Sequence, residues 1–294
     1  MSLLTILIPT YNEDKYILET LQSVKNQTFK DFLCIISDNS SSDQTSNICN
    51  AFVKEDSRFQ YIKQKKNIGS SRNTEFLAHQ VKTEYSMIFA GHDVLETSFV
   101  EKTLQIIVNN PKVSFVFSKA IGIDEDSQLV DEEFMYQSYN FTGNSLSRYI
   151  QSVREISNCT IYQSIVRTEL LQKYTFVHDS LGDDHIFISY LLWHGELFTV
   201  DEILYKRRFF KQRYSTDEER VSGPKEEYQL TNNLYRMYEG YIENFNSLYE
   251  GPDEFRTFLN SKILDLLTAK YGIGYLYDDK KENISYLLNE IYLI

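Results

Sequence analysis

Two aspartates in succession, Asp183 and Asp184, follow Gly182 at the head of an apolar stretch, and a single one, Asp93, stands behind Gly91 and His92 where the run "SMIFA" ends. Adjacent carboxylates at a helix start feel opposed effects: the helix dipole lowers their pKa values, while their mutual repulsion raises one. One is thereby set up to take a proton from a hydroxyl, although the same residues also serve as a plain helix N-cap. Asp93 suits another task. Mg²⁺ keeps several waters and binds through one or two carboxylates plus substrate phosphates, so one Asp is enough to hold it. His92 is a second ligand acceptable to Mn²⁺, a hydrogen-bond partner for a sugar, or a solvent-facing loop residue.

Other strand-like runs end in equally reactive company. "PTYNE" offers Pro9, the Thr10 hydroxyl, the Tyr11 ring and the Glu13 carboxylate, or else a proline turn with helix-start residues. "SDNSSSD" holds Asp38 and Asp43, each able to accept from a ligand or to close an Asx-turn; we assign function to Asp38 and structure to Asp43. "NIGSSRN" puts Asn67 and Gly69 in a turn and Arg72 in the first turn of a helix, where the dipole disfavours a cation. A diphosphate beside Arg72 would compensate; a solvated Arg is the other reading. Finally, "LYKRRFFKQRY" concentrates Lys206, Arg207, Arg208, Lys211 and Arg213, as an anion clamp or as a basic strand edge that resists aggregation.

These stretches need a frame. Short β-rich runs, "LLTILIP", "DFLCIIS", "FQYIK" and "EYSMIFA", alternate with helical ones, "DKYILETLQSVKNQ", "DQTSNICNAFVKED" and "GSSRNTEFLAHQVK". Strict alternation predicts an α/β fold with a mostly parallel, doubly wound sheet, whose ligands bind outside the carboxyl ends of the strands. From about 119 to 157 the chain reads as polar loops; "CTIYQSIV" predicts a strand, "DDHIFISYLLWHG" a helix and "ELFTV" a last strand. Beyond about 216 it turns helical and Tyr-rich, over "EEYQLTNNLYRMYEGYIENFNSLYE", "PDEFRTFLNSKILDLLTAKYG" and "KENISYLLNEIYLI". Trp193 is expected in the core.

The 294 residues suffice for one large domain with an appendage, and a net charge of -12 argues against a nucleic-acid partner. Cys34, Cys49 and Cys159 show neither disulfide pairing nor zinc spacing, which fits a reducing compartment. No run is apolar enough over about 20 residues to span a membrane, so a soluble cytoplasmic chain is expected. Peripheral contact at the inner face of the membrane and a homo-oligomer through the C-terminal helices stay open. No GxGxxG or Walker loop follows the first strand.

Taken together, "ILIPTYNEDKYILETLQSVKNQTFKDFLCIISDNSSSDQT", "NIGSSRN", the Asp93 loop and "GDDHIFISYLLWHGELFTVDEILYKRR" resemble the family 2 nucleotide-sugar glycosyltransferases with a GT-A fold, over about residues 3–215. The resemblance implies a catalytic domain over 1–215 with a helical extension over 216–294. Pro9, Thr10, Tyr11 and Glu13 would line the uridine pocket, Asp38 would take the uracil N3–H, and Asn67, Arg72, His92 and Arg208 would hold the rest of the donor. The family's Asp-x-Asp run is shortened here: Gly91 stands at the first Asp and opens space, and Asp93 keeps the Mg²⁺ or Mn²⁺ position. Asp184, with Asp183 beside it, maps to the general base of inverting enzymes. Phe210 falls where the family often has a His. The implied partners are a nucleoside diphosphate sugar, UDP-linked, and a saccharide or lipid-linked acceptor in cell-surface polysaccharide or glycolipid assembly. Two other readings stay open, a nucleotide-sugar-binding protein without turnover and, less well matched by "PTYNED", a sugar nucleotidyltransferase.

Overall fold

The computed structural model describes residues 2–130, 138–178, 180, 182–210 and 230–271. Four strands, β1 (Leu4–Thr10), β2 (Phe32–Asp38), β3 (Phe59–Lys63) and β4 (Tyr85–Ile88), lie parallel in the order β3-β2-β1-β4. Helices α1 (Ile17–Lys25), α2 (Thr45–Phe52) and α3 (Ser70–Ala78) connect them. In register Thr10 pairs with Asp38 and Asp38 with Lys63, so three strand ends finish level. The β1–β4 ladder stops at Leu7, so Pro9 removes no donor from it.

The second half adds β5 (Val94–Leu95), α4 (Phe99–Asn109), β6 (Val113–Ile123), β7 (Leu129–Val130), α5 (Ser145–Glu155), a 3₁₀ turn (Thr160–Gln163), β8 (Ile165–Arg167), α6 (Thr168–Lys173), α7 (Asp183–His194) and β9 (Glu196–Arg208). The sheet continues β4-β8-β6-β9-β5, with β7 on β6. β8 runs antiparallel to both neighbours, whereas β6 and β9 are parallel. The sheet is thus mostly parallel, as the alternation predicts.

Three expectations are corrected. The span read as loops holds the end of β6 and the whole of α5, where Arg148, Tyr149, Ser152 and Val153 form a buried face rich in polar atoms that conceal the amphipathic period. Half of "CTIYQSIV" is the 3₁₀ turn, and only Ile165–Arg167 is strand. The last strand runs on past "ELFTV" through the basic residues to Arg208, because β6 and then β5 offer it partners along its length.

α8 (Leu230–Leu248) and α9 (Asp253–Tyr271) complete the described chain; the 215/216 boundary and the helix expected over 281–294 lie outside the described residues. Tyr241, Phe245, Ile263 and Leu267 are buried in the same core as Tyr149 and Phe187. Trp193 is half-buried and packs edge-on against Tyr149 and Phe245 at the margin of the core.

Candidate active site

The expected residues gather at the carboxyl ends of the parallel strands. After β1 the chain turns through Asn12, whose φ of 54° lies in the left-handed region that Asn tolerates. The Asn12 N–H donates to Ser41 Oγ and its Oδ1 accepts from the Ser42 N–H, at 2.9 and 3.0 Å. Asp43 accepts from the N–H groups of Asp14 and Thr45, which is the structural role assigned to it. Tyr11 is half-buried beside this turn, and the buried Thr10 Oγ1 has no hydrogen-bond partner among the described residues.

Asp38 is fully buried. Its Oδ1 accepts from the Ser41 N–H at 2.8 Å, and its Oδ2 from Ser46 Oγ and Tyr61 Oη, both at 2.6 Å. Burial pushes this carboxyl up, but the hydrogen bonds from Ser41, Ser46 and Tyr61 outweigh it and hold the group below its ordinary value. The carboxylate thus has three donors and no exposed surface in this structure, where it organises the 38–46 loop. Asn67 Oδ1 accepts from Asn39 Nδ2 and from the Gly69 N–H, so the turn before α3 is fastened to the end of β2. Gly69, at φ 86°, caps α3, and the exposed Arg72 lies over it.

The Gly91-His92-Asp93 loop departs most from expectation. Asp93 is 3% exposed; Oδ2 accepts from Tyr205 Oη at 2.5 Å and Oδ1 from the Arg208 N–H at 2.8 Å. The expected metal anchor is therefore turned inward, with both oxygens engaged by β9. His92 is half-buried instead, its Nδ1 2.9 Å from Glu13 Oε1. Gly91 opens no room either. A Cβ there would lie 3.0 Å from Thr10 Oγ1, so Thr10 fills the space that a side chain would need.

Arg208 is buried as well. Its guanidinium has no exposed surface: Nε donates to the His92 carbonyl, Nη1 to the Asp124 carbonyl and to Ser127 Oγ, and Nη2 to Glu19 Oε2 at 2.6 Å. It stacks on Tyr16 at 4.6 Å and clamps the Asp93 loop to α1. Its neighbour Arg207 is half-buried, and its Nη1 donates to Thr160 Oγ1 at 2.9 Å. Lys206 pairs with Glu96, and Lys211 and Arg213 lie outside the described residues. Phe210 meets the His92 ring edge-on at 5.1 Å.

The carboxylate pair at α7 is split by its surroundings. Asp183 is buried, and its Oδ1 accepts from Tyr174 Oη at 2.8 Å and from the Val177 N–H at 2.6 Å. Burial raises its pKa from 3.8 to about 7, the two hydrogen bonds opposing the shift and the Asp184 charge adding to it. Asp184 is half-buried, beside Cys159 and His185. Joining this helix to the Asp93 loop is the 3₁₀ turn, where Gln163 Oε1 accepts from the Ala90 N–H at 2.9 Å and Thr160 holds Arg207. Neither Gln163 nor Thr160 carries a signal of its role in the sequence. Tyr205 and Arg207 carried one signal, alternation along a strand that continues into the basic run.

The family model described as "Glycosyl transferase family 2" matches residues 5–175. Among curated proteins, the uncharacterized glycosyltransferase MJ1057 of Methanocaldococcus jannaschii is 27% identical over 174 residues, 58% of each chain, so this chain spans little more than half of that relative. The GalNAc(5)-diNAcBac-PP-undecaprenol beta-1,3-glucosyltransferase of Campylobacter jejuni is 23% identical over 83% of this chain and 73% of its own. Among solved structures, S. aureus TarS 1-349 in complex with UDP-GlcNAc superposes with a TM-score of 0.70 at 17% identity, covering 99% of this chain and 80% of that one. At that identity the likeness speaks for the fold.

Proposed function

The chain belongs to glycosyl transferase family 2, and from that premise we propose that it is an inverting enzyme that moves a sugar from a UDP-linked donor to a hydroxyl acceptor in the assembly of a cell-surface polysaccharide or glycolipid. One observation carries the reading. The half-buried Asp184 stands at the head of α7, and the 160–163 turn ties that helix, through Gln163 and Thr160, to the strand-end loop and to Arg207.

Asp184 removes the acceptor hydroxyl proton as that oxygen attacks the anomeric carbon. The bond from that carbon to the diphosphate breaks on the opposite face, and its electron pair leaves with the nucleotide, so one displacement inverts the centre. Asp183, held up to about 7, is about half protonated at pH 7, and it is buried. It fastens the 174–177 loop and does not compete for the proton. Tyr11 and Pro9 line the nucleoside side, Asn67 shapes the turn, and Arg72 with Arg207 neutralises the departing diphosphate, with His92 against the donor sugar. The UDP and acceptor assignments lean on relatives, of which one is named as a UDP-GlcNAc complex and one as an undecaprenol-linked glucosyltransferase.

A divalent ion at Asp93 would have to share oxygens that already accept hydrogen bonds from Tyr205 Oη and the Arg208 N–H, on a residue 3% exposed. Charge neutralisation accordingly rests on side chains in this reading. The same inward Asp93, with Phe210 packed on His92, favours a second reading, nucleotide-sugar binding without turnover. Calorimetry of UDP, with GDP as control, with Mn²⁺ and with chelator, together with the anomeric configuration of any transferred sugar, tests both. UDP binding that survives chelation, with an inverted product, is expected. A retained anomer, or no nucleotide binding, would overturn the proposal; binding without transfer to any acceptor would leave the second reading.

A further inference from the structure

Asp184 belongs to a donor set whose other two members glycosyl transfer does not use. One ligand atom each from Cys159, Asp184 and His185 come within 4.8 Å of one another, and this is the one such group of three among the described residues. They come from two elements that the fold fixes independently: Cys159 precedes the 3₁₀ turn, and the carboxylate and imidazole stand in the first turn of α7. All three are half-buried, so an ion entering here would lose part of its water and still have a path in.

The donors are a sulfur, a nitrogen and an oxygen. That mixture selects borderline-soft ions such as Zn²⁺ over Mg²⁺ and Mn²⁺, which prefer oxygen alone. Donor atoms around tetrahedral Zn²⁺ sit at about 2.0–2.3 Å from the metal and hence roughly 3.5 Å apart, so the cluster has to tighten by about an ångström. Partners that would orient the ligands are present: His185 Nδ1 lies 3.5 Å from Tyr271 Oη, and Asp184 Oδ1 accepts from the backbone N–H of His185 at 2.9 Å. Two cations face the group, Arg207 and Lys270, and both oppose a divalent ion. Lys270 donates to the carbonyls of Val153 and Ile156 and Arg207 to Thr160, bonds that fix where the two cations sit but leave their charge.

We propose that Cys159, Asp184 and His185 form a Zn²⁺ site, with water as fourth ligand, whose filling shuts off transfer by occupying the carboxylate that would take the acceptor proton. On binding, the Cys159 thiol releases its proton to solvent and the thiolate sulfur bonds the metal. The inhibitory half rests on the reading of Asp184 as base; the binding half does not.

The test is Zn²⁺ titration of the intact protein against a chromophoric chelator, for the native chain and for Cys159→Ser and His185→Gln, with circular dichroism to show that each variant is folded. One equivalent should bind, weakened at least about tenfold in both variants. No competition with the chelator, or equal affinity in all three folded proteins, overturns the site. Transfer assays with added Zn²⁺ then separate the two halves. Inhibition in the native enzyme and escape in Cys159→Ser supports the coupling. Stoichiometric binding with undiminished transfer overturns the inhibitory half and the role of Asp184 together, while the site itself stands.

Discussion

At the scale of single residues, the two aspartates of α7 show how position divides one chemistry into two roles. Asp184→Asn is expected to lower transfer by about 10²–10⁴-fold in a steady-state assay, with thermal stability unchanged. Asp183→Asn keeps the acceptor oxygen for Tyr174 and Val177, so its activity should stay within a few-fold of native. Its signature is in stability. The folded pKa of Asp183, about 7, lies above the unfolded value of 3.8, so the native state binds more protons between those limits. Stability from this group is therefore present in full below pH 3.8, falls as pH rises through the window and is level above about 7. Urea midpoints measured from pH 4 to 8 should fall for the native protein and flatten for Asp183→Asn; parallel curves would contradict the burial argument. That adjacent carboxylates would differ was legible in the sequence. Which of them is buried was not, because it depends on Tyr174 and the 174–177 loop closing over one side of the helix. Gly91 teaches the same lesson. Its lack of a side chain reads as open space until Thr10 is seen to fill it. Gly91→Asp should accordingly lower stability, by about 1–3 kcal/mol from overpacking, and give no gain in activity on restoring the family's carboxylate.

At the scale of elements, the parallel half of the sheet was readable because each strand and helix announces itself locally: apolar runs of strand length, helical spacing and Gly or Asp at the turns. The antiparallel half was less so. The short β8 is fixed by β4 and β6 on either side and has little pattern of its own, and β9 continues through basic residues because it has strand partners, not because its sequence is apolar. Tertiary pairing thus decides what Arg208 does. In a chain where β9 stopped at Val200, this Arg would be loose at the cleft; in the extended strand its guanidinium is drawn inward between Glu19, the Asp124 turn and the Asp93 loop. Arg208→Met should cost about 2–4 kcal/mol of unfolding free energy, since it removes a buried guanidinium with its four hydrogen bonds and leaves partly buried acceptors short of a donor. Arg207→Met should cost little stability and weaken UDP binding instead. Calorimetric affinities and urea midpoints for the two variants form a double dissociation, and a reversed pattern would return Arg208 to the diphosphate.

At the scale of the whole molecule, the C-terminal helices are part of the machinery that holds the base. α8 lies so close to the start of α7 that a Cβ on Gly182 would meet Met237 Sδ at 2.5 Å, and one on Gly240 would meet Val177 and Ile186 at 2.8 and 2.9 Å. The 174–177 loop that secures Asp183 is therefore itself pressed from behind by α8. Sequence alone could give these helices their amphipathic faces but not the face they cover, since contacts between residues some 60 positions apart leave no periodic trace. One buried hydroxyl makes the coupling measurable. Tyr149 Oη, in α5, donates to the Tyr241 carbonyl or to Asn244 Oδ1, both at 3.2 Å, and so links α8 to the layer on which α7 packs. Tyr149→Phe leaves these acceptors short of a donor and should lower stability by about 1–3 kcal/mol. If α8 positions the base, turnover should fall with it while nucleotide affinity, set at the far strand ends, holds. If turnover and affinity fall in step, the helices stabilise the whole sheet without any particular hold on α7.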